Sequence, residues 1–281
     1  MMKKIFIVGC PRSGTTLLQS FLASHSKVVS FPETHLYSKT ISINPIVRAM
    51  TLYRSKHLNI VEEIITDLGV STEEDIRSFG FTFSTVKWVR FLNIQLNKIG
   101  KHFREAEENY LLEKTPRHLH FIDLIQKTDR DAIFIHLIRN GEDVVASMSE
   151  ATGNNPEEWS GDRSVDKSIF WWNRSIKISK QHIGQENNYH IRYENLVEDP
   201  EKVLNFLFEK IGLPFEKQIL SNYHKTANSL IGEDEVWKSK NTKETLSTSS
   251  KFDQLPAETQ KQIKHDLDDF DYQKVDINNV N

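Results

Sequence analysis

Residues 5–22 read IFIVGCPRSGTTLLQSFL. The apolar run Ile5 to Val8 enters a turn bounded by Gly9 and Gly14, after which Leu17, Leu18, Phe21 and Leu22 share one helical face. Strand, glycine turn and helix in this order make an anion cradle, because backbone N–H groups converge and the helix N-terminus adds partial positive charge. Ser13, Thr15 and Thr16 add hydroxyl donors, and Arg12 supplies a planar guanidinium suited to an oxyanion. The plainer alternative is a tight strand–helix turn with no ligand. The two glycines have the G-x-x-x-x-G spacing of a nucleotide loop, yet Thr15 stands where a Walker loop carries its lysine.

Outward from this stretch, "KKIFIVG" (3–9) has the continuous apolarity of a strand buried on both faces of a parallel sheet. "VVSF" (28–31), "AIFIHLI" (132–138) and "YHIRY" (189–193) read as further strands. "RNGEDVVASMSE" (139–150) is a turn running into a helix. In "EDPEKVLNFLFEKIG" (198–212), Asp199 is the N-cap, Pro200 the first helical residue and Gly212 the stop, with Val203, Leu204, Leu207 and Ile211 apolar. Strands alternating with helices predict an α/β fold: a P-loop-like parallel sheet flanked by helices. Residues 45–110 carry helical pattern and few strand signals, and read as a helical insertion. The 281 residues then form one domain, 1–281, with 45–110 as a cap over the acceptor site. Residues 235–255 are polar and loop-like.

A net charge of −3 argues against a general binder of nucleic acid or of anionic membranes, so an anion site must be locally basic. One cysteine allows no internal disulfide and points to a reducing, cytoplasmic setting. "IVGC" imitates a lipoprotein cleavage box, but the apolar run before it is shorter than the roughly 7–15 residues of a signal core. No run approaches the ~20 apolar residues of a membrane span. Oligomeric state is not legible.

Other phosphate chemistries fit less well. A P-loop kinase wants a lysine at position 15 and a strand-end acid for Mg²⁺, and neither is present. A cysteine phosphatase wants an arginine six residues after Cys10, where Thr16 stands.

"PRSGTTLL", followed by "IHLIRNGEDVVASM" and "RYENL", resembles the sulfotransferases that use 3′-phosphoadenosine 5′-phosphosulfate (PAPS), and within them the bacterial and tyrosylprotein-type branch. The resemblance runs from residue 4 to about 255 and is weak over 45–110. It implies that Arg12, Ser13, Gly14, Thr15 and Thr16 hold the 5′-phosphosulfate, with no metal required. It implies that Arg139 and Ser147 grip the 3′-phosphate and that Tyr193 lies near the adenine. The alternatives are an ion pair of Arg139 with Glu142 or Asp143, an ordinary helical Ser147, and a half-buried strand aromatic at Tyr193. The cytosolic branch closes its nucleotide site with an R-K-G triplet that is absent here; "STSSK" (247–251) offers Ser249 and Lys251 instead, or a solvated loop. The product left behind is adenosine 3′,5′-bisphosphate (PAP).

The acceptor must lose a proton to a base. Cytosolic members use a histidine in a K-T-H-like block, but "LLEKTPRHLH" (111–120) has Pro116 there. The other branch places a glutamate after its second strand, and "SFPETHLY" (30–37) supplies Glu33, with His35 in reserve. A cap, a surface acid or a lysine partner is the alternative for Glu33. Lys114 neutralises charge on the departing phosphate, or pairs with Glu113. His118 and His120 form an H-x-H pair with no third ligand, so no metal site is expected. The expectation is a sulfotransferase acting on a hydroxyl, less readily an amine, of a small molecule, glycan or other hydroxylated acceptor. Trp159, Trp171 and Trp172 are either pocket walls or core. A P-loop kinase and a non-catalytic nucleotide binder are the competing classes.

Overall fold

A computed structural model of the chain describes residues 2–71, 75–105, 108–154, 164–230 and 251–275. Strands β1 (Lys3–Gly9), β2 (Val28–Ser30), β3 (Tyr110–Lys114), β4 (Ile133–Ile138) and β5 (Asn188–Arg192) form one sheet in the order β2-β3-β1-β4-β5. Every pairing is parallel, and Ile5 lies opposite Leu112 on one side and Ile133 on the other. Helix α1 (Thr15–Ala23) follows β1. Five helices lie between β2 and β3: α2 (Leu36–Thr40), α3 (Pro45–Met50), α4 (Ser55–Asp67), α5 (Asp75–Ser78) and α6 (Thr85–Phe103). A 3-10 turn (Pro116–Phe121) and α7 (Ile122–Gln126) follow β3, and α8 (Gly141–Asn154) and α9 (Val165–Gln181) separate β4 from β5. Then come α10 (Tyr193–Glu198), α11 (Pro200–Ile211), α12 (Ile219–Ser229) and α13 (Ala257–Asp266).

The pleat explains why β1 is apolar throughout. Ile5 and Ile7 point into one core with Leu18, Phe21, Leu204 and Leu207, while Phe6 and Val8 point into another with Trp88, Leu92, Leu119 and Phe134. Both faces are covered, so alternation of polar and apolar residues would be penalised. A third cluster joins Cys10, Ile138, Val145, Met148 and Trp172 to Phe252 and Ile263. Cys10 is thus a buried core residue. Helix α11 starts as its sequence reads: the Asp199 side chain accepts from Lys202 N at 3.0 Å, and Gly212 closes the helix at φ 83°.

Two expectations need correction. The sheet gains β3, since Tyr110–Lys114 pairs with both β1 and β2, so the region between β2 and β3 ends before residue 110. "YLLEK" hides its strand character because Glu113 and Lys114 are charged, yet both are buried. Tyr193 is the first residue of α10 and not the last of β5. Helix α6 is part of the sheet's own cover, because Trp88, Val89, Leu92 and Leu96 share the core of Phe6 and Val8.

Among the described residues no helix is long and apolar enough to cross a membrane.

Candidate active site

The chain leaves the carboxyl ends of the five strands on one edge of the sheet, beside the point where β1 is flanked by β3 and β4. Ligands of open α/β sheets bind at such a switch point. β1 delivers the loop. Gly9, at φ 155°, allows close approach: a Cβ there would sit 2.6 Å from Leu137 O. Gly14 takes φ 90°, and a Cβ there would stand 2.4 Å from the Tyr193 ring. Between them Arg12 adopts φ 73°, an uncommon conformation for a side-chain-bearing residue that points to a constrained loop. No side chain caps the N-terminus of α1, so its first N–H groups face the loop. Ser13, Thr15 and Thr16 are all buried.

β4 brings a second cation against this loop. The Arg139 guanidinium donates to Arg12 O at 3.4 Å, pairs with Asp143 at 3.9 Å and lies 4.5 Å from the Tyr193 ring centre. Its Nε is buried with no partner among the described residues. Arg12 Nε donates to Ser147 Oγ at 3.3 Å, so residues 12, 139 and 147 meet although 127 and 135 positions separate them in sequence. Burial and the nearby Arg139 charge lower the Arg12 pKa, with Glu150 opposing them. Asn140 N donates to Glu194 Oε1 at 2.9 Å and so fixes the exit of β4 against α10. Two adjacent guanidiniums, an orphaned buried N–H, three hydroxyls and an uncapped helix fit a multiply charged anion.

β2 and β3 supply the reactive pair. Gln19, buried in α1, donates to Ser30 Oγ and Phe31 O, both at 3.0 Å, and holds the chain leaving β2. Glu33 then forms an ion pair with Lys114 Nζ. Lys114 Nζ also reaches Thr16 Oγ1 at 3.4 Å, which links the pair to the loop. His35 Nε2 lies 3.5 Å from Glu33 Oε2. Burial lowers the His35 pKa against the raising effect of Glu33. Lys114 does not pair with Glu113, because neighbours on a strand point to opposite faces. Glu113 is 0% exposed and accepts from Thr34 Oγ1 at 3.0 Å and Thr115 Oγ1 at 2.6 Å, with His118 Nδ1 2.8 Å away. Burial alone would raise the Glu113 pKa; the His118 ring and these hydrogen bonds outweigh it and hold the carboxyl below its ordinary value. Thr34, Glu113, Thr115 and His118 were not singled out as a group from sequence. The available signal was a threonine directly after each of Glu33 and Lys114.

Beside the loop, Gly9, Pro11, Arg117, His120, Trp171 and Ser175 line a cleft. Arg117 and Arg174 lie 5.4 Å and 6.0 Å from the Trp171 ring centre. Burial and these two cations lower the His120 pKa to about 4. Trp172 is buried and donates to Arg139 O at 3.3 Å. Trp159 and Ser249 lie outside the described residues. Lys251 pairs with Glu150 of α8. No group of three or more metal-ligating side chains occurs among the described residues.

Residues 4–217 match the model of the sulfotransferase family. The chain belongs to that family. This sulfotransferase is 29% identical over 222 residues to protein-tyrosine sulfotransferase 1 of Danio rerio, covering 78% of the present chain and 56% of the fish protein. It is 27% identical over 230 residues to an uncharacterized protein of Aquifex aeolicus, covering 80% of the chain and 27% of that protein. The chain therefore spans about half or less of the length of these two relatives. In fold it resembles the sulfotransferase domain of the Synechococcus olefin synthase, with a TM-score of 0.56 at 20% identity, covering 93% of this chain and 92% of that one. It also resembles a mouse sulfotransferase solved with PAP, with a TM-score of 0.53 at 11% identity, covering 94% and 82%. Membership of this family favours a sulfotransferase over a kinase.

Proposed function

We propose that this sulfotransferase moves a sulfuryl group from PAPS to a hydroxyl, less readily an amine, of its acceptor. One observation carries the reading: the Arg12–Arg139–Ser147 cluster and the Glu33–Lys114 pair converge at the same sheet edge, joined through Thr16. The first is suited to bind an anion through cations and hydroxyls, and the second to work as an acid–base pair. When bound, PAPS supplies an activated sulfuryl group on a phosphate leaving group. Arg12, Ser13, Gly14, Thr15 and Thr16 hold its 5′ side, Arg139 and Ser147 its 3′-phosphate, and Tyr193 its adenine. The PAP complex of the mouse relative, which has this fold, supports the assignment. Ser249 and Lys251 are the proposed closing segment; exchange of the Glu150 partner for the nucleotide would free Lys251 to act.

Glu33 takes the proton from the acceptor hydroxyl, and an adjacent ammonium favours its carboxylate form beforehand. Lys114 neutralises charge on the departing phosphate oxygen. The whole chain, 1–281, acts as one sulfotransferase domain, and the helices between β2 and β3 with the Arg117–Trp171 cleft shape the acceptor site. Its single cysteine, the buried Cys10, is compatible with a reducing, cytoplasmic compartment. A screen of hydroxylated small molecules and glycans with labelled PAPS tests the reading. Transfer of label supports it; phosphorylation by ATP and Mg²⁺ with no transfer from PAPS would sink it.

A further inference from the structure

The threonines that directly follow the reactive pair share one acceptor. Thr34, after Glu33, and Thr115, after Lys114, both donate to the same oxygen of Glu113, Oε1. Thr34 comes from the chain leaving β2, whereas Glu113 and Thr115 belong to β3 and its exit, so the Thr34 bond crosses between two strand ends and the Thr115 bond stays within one. Each hydroxyl has a second bond that ties it to the backbone: Thr34 Oγ1 accepts from Leu36 N at 3.1 Å, and Thr115 Oγ1 accepts from His35 N at 3.2 Å. His118 Nδ1 engages the remaining oxygen, Oε2. Glu113, Thr34, Thr115 and His118 are all buried, and His118 packs edge-on against Tyr37 with ring centres 4.9 Å apart.

A buried carboxylate is costly unless its oxygens are engaged, and here hydroxyl donors from both strand ends engage Oε1 while the His118 ring meets Oε2. An apolar residue at position 113 would remove the Thr34 bond across the strand ends and free the Thr115 hydroxyl that accepts from His35 N. A separation error of about 1 Å at reacting groups is enough to lower a rate ~10²-fold.

We propose that Glu113 is a positioning residue that clips the β2 and β3 strand ends together through Thr34 and Thr115 and thereby sets the geometry of the Glu33–Lys114 pair. The inference rests on the roles given above to Glu33 and Lys114. It adds a residue that does not touch the reacting atoms.

The test uses the full chain, PAPS and 2-phenylethanol, an alkyl alcohol that must lose its proton to a base, as the acceptor probe, with Glu113→Gln, Thr34→Val and Thr115→Val. Each variant should keep its affinity for PAP within about 3-fold, while kcat falls roughly 10- to 100-fold. A positioning residue acts through the pair. In a Glu33→Gln/Lys114→Ala background, Glu113→Gln should therefore lower turnover no further, whereas a merely structural residue would add its full loss. A second readout needs no turnover. In the nucleotide-free protein, the Glu33 carboxyl, followed by carbon-13 NMR, should titrate at higher pH in Thr34→Val and Thr115→Val, because a loosened Lys114 favours the carboxylate less. The threonine variants decide this arm, since Glu113→Gln also removes a like charge and shifts Glu33 the opposite way. They also decide the kinetics if Glu113→Gln fails to fold. Native kcat and an unmoved Glu33 titration in both threonine variants would overturn the clip. Loss in Glu33→Gln and Lys114→Ala with native kinetics in the clip variants would overturn the clip alone. If Glu33→Gln and Lys114→Ala leave turnover intact, the reaction reading and the clip fall together.

Discussion

Glu33 has Lys114 on one side and the His35 ring 3.5 Å away on the other, so its replacement separates base from reserve. Glu33→Gln keeps shape but accepts no proton. We expect kcat on an alkyl alcohol to fall ~10²-fold or more with PAP affinity within a few-fold, and His35→Ala to do much less. Near-native turnover of Glu33→Gln would move the base to His35 or His118. At the nucleotide end, Arg139→Ala removes a charge-assisted bond worth about 1.5–3 kcal/mol. Calorimetry should show that loss for PAP and a small one for adenosine 5′-phosphate; equal losses would place Arg139 away from the 3′-phosphate. Gly14→Ala should be harsher than its size implies, because the added methyl meets the Tyr193 ring at 2.4 Å and φ is 90°. A destabilisation of about 1–3 kcal/mol in urea unfolding, with loss of PAP binding, is the expected result. Sequence could offer these residues because each lies in a contiguous motif. It left the partner of Lys114 open between Glu33 and Glu113, because strand sidedness matters only once β3 exists.

Strands β4 and β5 and helix α9 bury an imidazole stack. His136 lies 4.2 Å from His190 and 5.6 Å from His182, ring centre to ring centre. His136 bonds to Ser179 and Asn188, His190 to Ser179 O, and His182 to Asp123 of α7. Burial, reinforced by His190, pushes the His136 pKa well below its ordinary value, and burial lowers His190 to about 4. Both rings are therefore neutral when folded, while the unfolded chain binds protons near pH 6.5. Their contribution is fully present above about pH 6.5 and is lost as pH falls from there towards 4. Thermal melts should drop across that window before Glu113, whose pKa is lowered, begins to protonate. A flat melting temperature between pH 7 and 5 would contradict the neutral stack. At this level the sequence exposed four strands and the α11 caps. It concealed β3, whose last two residues are charged for a reason that lies in the chain after β2, in α1 and in the turn after β3.

The molecule carries net charge −3 yet gathers Arg12, Lys114, Arg117, Arg139 and Arg174 around one sheet edge and its adjoining cleft. Donor binding through these cations is expected to be independent of metal. Saturating PAP at ~100 times its Kd should stabilise the fold by about 2.7 kcal/mol, equally in EDTA and in Mg²⁺. A response to ATP with Mg²⁺ but none to PAP would refute the donor assignment. The Arg117–Trp171–Arg174 wall should also sort acceptors by charge. 4-Hydroxyphenylacetate should be used with higher kcat/KM than its uncharged amide, by several-fold at low salt, and Arg117→Gln should erase the preference. Equal use of both by the native protein would remove charge from acceptor choice.

By itself the sequence determined the parallel α/β class, and it put forward a loop with an arginine near the missing lysine and candidates for base, counter-charge and 3′-phosphate grip. Those signals are local: the periodicity of buried strands, glycines at fixed offsets, and side chains within a few positions of one another. Tertiary structure alone decided that Arg12 meets Ser147, that Lys114 takes Glu33 and not Glu113, and that Thr34 and Thr115 share one buried carboxylate. Such contacts span up to 135 positions and depend on which strands are neighbours. Strand order is set by how two cores close over both faces of the sheet, and no window of sequence contains that information.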